Sequence, residues 1–223
     1  MAEKSTEAII ENVPVLPIRE DVIFPLQTKH LFVGRKASIA SIRAAETSGR
    51  RIALVAQRNI KEEGLTEKDF YSVGTLCLLG KAEALDAASI EKNELPPGTI
   101  EVAVKGKDRA TIKRLFARDQ YFTADIEVAQ ISEKPDEITV ATLKAVRVLF
   151  MEYADGLPNI TKEMIGAVTH IDDVSIAPDA ASIALDPPFE ILQDILQTFS
   201  PRARLEKLAE TLQSYIKNKT PEY

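Results

Sequence analysis

The hydrophobic period of this chain changes once, and that change limits the possible folds more than any other feature. In Thr99–Lys105 the apolar Ile100, Val102 and Val104 alternate with their neighbours, and Phe122–Val128 alternates likewise. A period of two puts successive side chains on opposite faces of a strand. From Glu137 to Ala154 the spacing becomes three and four, through Val140, Leu143, Val146, Phe150 and Tyr153, which is the period of a helix. Between the two regimes stands Ser132-Glu133-Lys134-Pro135-Asp136, polar and interrupted by proline. This predicts a β-rich lobe over 1–131, a hinge at 132–135 and a helical lobe over 136–219, in an α+β fold.

Within the first lobe, Val13-Pro14-Val15-Leu16-Pro17-Ile18 mixes branched residues with prolines, and Val22-Ile23-Phe24-Pro25 repeats the mixture. Proline bars a helix there and confines a strand to an edge or an irregular start. The spacing of Ile39, Ile42 and Ala45 predicts a helix from about Arg35 to Thr47, with Gly49 placed to end it. Ile52–Ala56 is wholly apolar, as in a strand buried on both faces. Thr66–Asp69 reads as a capped turn, and Val73 to about Leu85 as a long strand. Five or six short strands with one inserted helix fit a closed or partly closed barrel.

The second lobe reads as five helices. The first carries the 137–154 stripe, and the second is capped by Thr161 and bears Met164, Ile165 and Val168. The third starts at Pro178 and the fourth is striped by Phe189, Leu192, Ile195 and Phe199. Ser200-Pro201 opens the fifth, a hydroxyl cap followed by proline at the first helical position, and it runs through Leu205, Leu208, Leu212 and Ile216.

Chemistry-bearing residues are sparse. The single cysteine, Cys77, lies in the apolar run Thr75–Leu79 and is expected to be a buried, unreactive thiol, which suits a reducing cytoplasm. His30 and His170 fall in different lobes, so no metal constellation forms, and His170-Ile171-Asp172-Asp173 reads as a solvated turn. Gly106-Lys107 lacks the spacing and the hydroxyl of a phosphate loop, because Asp108 follows. The adjacent carboxylates Glu20/Asp21, Glu62/Glu63 and Asp172/Asp173 point different ways and do not make acid–base pairs. No cofactor is expected, no run of residues is apolar for the ~20 positions a membrane span needs, and a non-catalytic binding role follows. Residues 1–120 hold 19 basic and 17 acidic side chains, whereas residues 121–223 hold 9 and 17. The second lobe is therefore strongly acidic, which argues against nucleic acid as a partner.

One ordered string rises above this background. Val15-Leu16-Pro17-Ile18-Arg19-Glu20-Asp21-Val22-Ile23-Phe24-Pro25 is followed by Leu31-Phe32-Val33-Gly34-Arg35 and then Ser38-Ile39. Leu54-Val55-Ala56-Gln57, Phe70-Tyr71-Ser72-Val73-Gly74-Thr75, Gly98–Val102, Gly106–Ala110, Tyr121–Glu127 and Arg204–Leu208 come after it in order. Over residues 13 to 212 the chain resembles the N-terminal, substrate-binding domain of the ATP-dependent Lon protease family. The resemblance implies a PUA-like β pseudo-barrel followed by a helical bundle. It also implies recognition of unfolded or damaged protein substrates and a part in organising the oligomer. In that family the last helix continues into a coiled coil, an ATPase with a phosphate loop and a Ser–Lys protease. The chain is accordingly expected to be either a fragment of such an ATP-dependent serine endopeptidase or a standalone protein built from this domain, adaptor-like or RNA-binding.

Gly34, Gly74, Gly98 and Gly106 fall where the backbone needs positive φ or close approach, and Arg19 and Arg109 are expected to pin turns by donating to carbonyls. Where the family usually places a proline, this chain has His30, preceded by Gln27-Thr28-Lys29. The stretch from Asp86 to Pro97 is longer than the family pattern and reads as an extended hairpin loop. These departures make Lys29, His30, Leu31 and Leu95 the candidate peptide-binding residues, with self-association or further Lon domains as other possible partners. An exposed strand edge or the groove between the lobes is the expected means of holding an extended apolar segment.

Overall fold

A computed structural model describes residues 9–59, 64–128, 135–155 and 157–219. The chain divides into two compact units, residues 1–130 and 131–223. Of the expected hinge at 132–135, only Pro135 is described, and Glu62 and Glu63 also lie outside the described residues.

Among the described residues the first unit is built on six strands: β1 (Ile9–Ile18), β2 (Thr28–Val33), β3 (Arg51–Ala56), β4 (Val73–Ala84), β5 (Ile100–Ala117) and β6 (Phe122–Val128). Their order is β2-β5-β4-β3-β1-β6, and β6 pairs again with β5, which closes the sheet. Closure depends on the length of β5. Its first half pairs with β2 and β4, and its second half, Ala110–Ala117, pairs with β6. Only β1 and β3 run parallel; the other pairs are antiparallel.

Strand β3 shows why its run is continuously apolar. Ile52 and Leu54 join one core cluster, with Leu16, Ile42 and Val102, while Ala53 and Val55 join a second, with Val13, Phe70 and Ile126. Burial on both faces removes the alternation a one-sided strand would show. Helix α1 (Lys36–Thr47) covers the first cluster with Ile42 and Ala45. It ends where Arg50 N donates to Ala45 O at 2.8 Å, with Gly49 at φ 78°. Thr66 and Asp69 cap each other around a 3-10 turn, Glu67–Asp69.

Two segments differ from expectation. Val22–Phe24 is buried but is not a strand. Side chains satisfy its backbone instead: Gln27 Oε1 accepts from Phe24 N at 2.9 Å, and the Thr75 hydroxyl donates to Ile23 O. The stretch after β4 contains a short second helix, α2 (Ala87–Lys92), capped by Asp86 accepting from Ser89 N at 2.7 Å.

Among the described residues the second unit holds five helices: α3 (Glu137–Ala154), α4 (Lys162–Thr169), α5 (Ala177–Leu185), α6 (Phe189–Gln197) and α7 (Pro201–Lys219). Leu143, Val146, Phe150, Leu205, Leu208 and Leu212 form the centre of its core. The stripe on α3 is rotated from the expected one. Asp136 caps the helix by accepting from Thr139 N at 2.7 Å, and the buried positions become Thr139, Leu143, Val146, Phe150 and Ala154, leaving Val140 exposed. That cap also holds the Asp136 carboxyl below its usual range, through the Thr139 hydroxyl and amide. Among the described residues no helix is long and apolar enough to cross a membrane.

Candidate functional site

Closing the sheet leaves some strand edges without a partner among the described residues. Among the described residues, β2 has a partner, β5, on one side only. Antiparallel pairing uses the N–H and C=O of every second residue, so the alternate residues of β2 turn those groups away from β5. Strand β1 is similarly open at its end: β6 pairs with it as far as Val15, whereas Leu16–Ile18 pair only with β3. The two open edges, Leu16–Ile18 and Lys29–Val33, line one cleft of about 400 Å³, together with Arg19, Asp21, Gly34, Arg35 and Ser38.

The cleft is apolar toward one end and charged elsewhere. Phe32 is 51% exposed and Val33 is buried, with Leu31 packed partly against the α1-side core. Lys29 Nζ sits 2.6 Å from Asp21 Oδ2, and His30 Nδ1 lies 2.9 Å from Glu101 Oε1 on β5. Behind the cleft, Gln57 is 2% exposed, and its Oε1 accepts from Arg35 Nη1 at 2.9 Å and from Arg19 Nε at 3.3 Å. Arg35 Nη2 also donates to Pro17 O at 2.6 Å. Burial and the neighbouring charge of Arg19 lower the Arg35 pKa. Arg19 therefore donates to a side-chain amide, and it is Arg35 that reaches a main-chain carbonyl. Arg109, buried in β5, stands over the Phe24 ring at 6.0 Å.

Three of the residues singled out in the sequence, Lys29, His30 and Leu31, line this cleft. Leu95 is not among its lining residues; it follows α2, where its N–H donates to Ile90 O at 2.9 Å. Gln57 and Arg35 carried no sequence signal beyond the family strings, because their link spans 22 positions.

Other reactive groups are engaged elsewhere. His170 Nδ1 faces Gly166 O at 2.7 Å, Asp172 pairs with Arg147 at 2.7 Å, and Asp173 accepts from the Ser175 hydroxyl at 2.6 Å. No group of three His, Cys, Asp or Glu among the described residues could hold a metal ion. Cys77 is fully buried, and burial pushes its thiol up to about 12. A thiol-specific reagent at pH 8 is expected to label Cys77 only at the rate of unfolding, and rapid labelling of native protein would contradict this burial.

Fold and site together define a closed β unit whose strand β2 has an open edge, in one chain with a unit that holds five helices among the described residues. The chain belongs to the family of the ATP-dependent protease La (LON) substrate-binding domain, whose model matches residues 12–214. Lon protease 3 of Sorangium cellulosum is 34% identical over 207 residues, which are 92% of this chain and 24% of that protein. The Lon protease of Buchnera aphidicola is 31% identical over 208 residues, 92% of this chain and 25% of its own length. The chain thus spans about a quarter of the length of these relatives. In fold it is similar to the N-terminal domain of Mycobacterium avium complex Lon protease, at TM-score 0.69 and 17% identity, over 94% of this chain and all of that one. A Lon N-terminal domain protein from Xanthomonas campestris matches at TM-score 0.59 and 13% identity, over 90% and 98% of the two chains.

Proposed function

We propose that this chain is a non-catalytic recognition domain for ATP-dependent proteolysis in the cytoplasm, and that it captures unfolded or damaged polypeptides along β2. The observation that carries this reading is the open edge of β2, which lines a cleft of about 400 Å³. An unfolded segment can add a strand there. Its main chain bonds the free groups of β2, and its side chains rest on Leu31 and Phe32. Main-chain recognition is indifferent to sequence, which suits a receptor for any chain that has lost its fold. Folded proteins have no spare strand to offer and are passed over. Bond cleavage and ATP hydrolysis belong, on this reading, to other domains of the Lon arrangement, and the domain also contributes to organising the oligomer.

The test is fluorescence anisotropy with a labelled, permanently unfolded polypeptide. Phe32→Ser is expected to weaken binding about tenfold, the value of covering one aromatic side chain. The melting temperature is expected to stay within a few degrees, since Phe32 is half exposed. Unchanged affinity in Phe32→Ser would move the site elsewhere.

A further inference from the structure

The charges that line the β2 cleft do not cancel. Its titratable side chains are Arg19, Asp21, Lys29, His30 and Arg35, with Glu101 reaching in from β5. Asp21 pairs with Lys29, and Glu101 Oε1 lies against the His30 ring. Arg19 and Arg35 instead share one neutral acceptor, the Gln57 amide oxygen, and among the described residues neither has a carboxylate partner. Two guanidinium groups drawn onto one oxygen repel each other. Each also keeps donors unspent, because an arginine has five N–H groups. An anion arriving there gains charge-assisted hydrogen bonds and relieves that repulsion.

From this we infer that the cleft prefers extended segments in which an acidic side chain accompanies apolar ones, the carboxylate being held by Arg19 and Arg35. The position of Arg35 favours a side chain over a chain terminus. Its Nη2 is bonded to Pro17 O, in the middle of the Leu16–Ile18 wall and not beyond its end, so a strand can pass through and continue. Leu31 and Phe32 on the opposite wall take the apolar neighbours. This rests on the edge-capture reading above and adds a chemical preference to it. Gln57 and Pro17 O act here as positioning groups, holding both guanidinium groups before a ligand arrives.

The experiment compares two labelled extended peptides that differ only by Glu against Gln at one central position, both amidated at the C-terminus so that no terminal carboxylate contributes. Anisotropy titration of the native chain is expected to give about tenfold tighter binding of the Glu peptide, an advantage that shrinks as salt rises. Arg19→Gln, at an exposed position, is expected to bring the ratio close to one. Arg35→Lys is the second variant; it keeps the charge but loses the planar fork, so part of the advantage remains. Equal binding of both peptides by the native chain overturns the preference and leaves edge capture standing. Binding of neither peptide overturns both. A ratio that Arg19→Gln leaves unmoved assigns the preference to other residues and overturns this site.

Discussion

Replacing Asp179 with alanine is expected to destabilise the helical unit by about 3–5 kcal/mol. Asp179 on α5 and Arg204 on α7 meet with Oδ1 and Nη1 2.6 Å apart, and their side chains are 4% and 0% exposed. Arg204 is the largest fully buried side chain described, and Leu205, Leu208 and Leu212 follow it on the same helix with no exposure at all. Removing the carboxylate takes the ion-pair partner at 2.6 Å from a guanidinium that is fully buried. Asp179→Asn keeps the shape and loses the charge, so it is expected to cost less. Pairing Asp179→Leu with Arg204→Met restores most of the stability, because the penalty lies in the unanswered charge and not in the absence of the pair. Hydrogen exchange of α5 and α7 amides reads the effect within this unit. Unchanged protection in Asp179→Ala would show that the pair is not what holds α7 in place.

That pair also marks the limit of what the sequence discloses. Arg204 stood out only as part of a family string, and nothing in its neighbourhood distinguished a buried guanidinium from a surface one. The partner lies 25 positions away, on a helix whose own apolar pattern gives no hint that Asp179 points inward. Local patterns were informative where one local force decides the outcome. The two-sided burial of Ile52–Ala56, the Gly49 helix end, the Thr66–Asp69 caps and the helix starts at Glu137, after Thr161 and at Pro201 could all be read directly. They failed where a distant group supplies what the segment lacks. Val22–Phe24 has the composition of a strand, yet Gln27 and Thr75 satisfy its backbone without a ladder. On α3, Val140 and Thr139 compete for the inner face. The Asp136 cap is fixed by Thr139, which takes the inner position despite its hydroxyl.

The cleft was legible in part for the same reason. Lys29, His30 and Leu31 stood out because they depart from a family pattern, and a departure is a local property. That they form an open edge follows from closure of the sheet through β5, which requires pairing information across the whole unit. Leu95 was drawn in by the unusual length of its loop. In the fold that length is taken up by α2, which sets Leu95 beside its own helix instead of the cleft.

Gly106→Ala provides the other large effect, and it connects the barrel to the cleft. Gly106 lies within β5 opposite Cys77, where a strand residue would ordinarily carry a side chain. A Cβ there would stand 2.1 Å from Phe24 O and 3.0 Å from Phe24 C. Neither neighbour can yield easily. Gly106 N donates to Gln27 O at 2.8 Å, Leu26 N donates to Gly106 O at 3.0 Å, and Gln27 N closes back onto Phe24 O at 3.2 Å. The methyl group must therefore lift the whole Phe24–Gln27 segment off β5, breaking these backbone bonds. The expected cost is about 3 kcal/mol or more. Gly49→Ala supplies the contrast: its φ of 78° makes alanine strained, but nothing lies within 4 Å, so about 1 kcal/mol is expected. Thermal melts of the two variants decide between crowding and backbone strain. If Gly106→Ala costs no more than Gly49→Ala, the close approach of Phe24 is not what requires glycine. Because β2 begins at Thr28, one residue past the displaced segment, Gly106→Ala is also expected to weaken capture of an unfolded polypeptide at temperatures where the barrel remains folded. Gly49→Ala, at the far end of α1, is expected to leave capture unchanged.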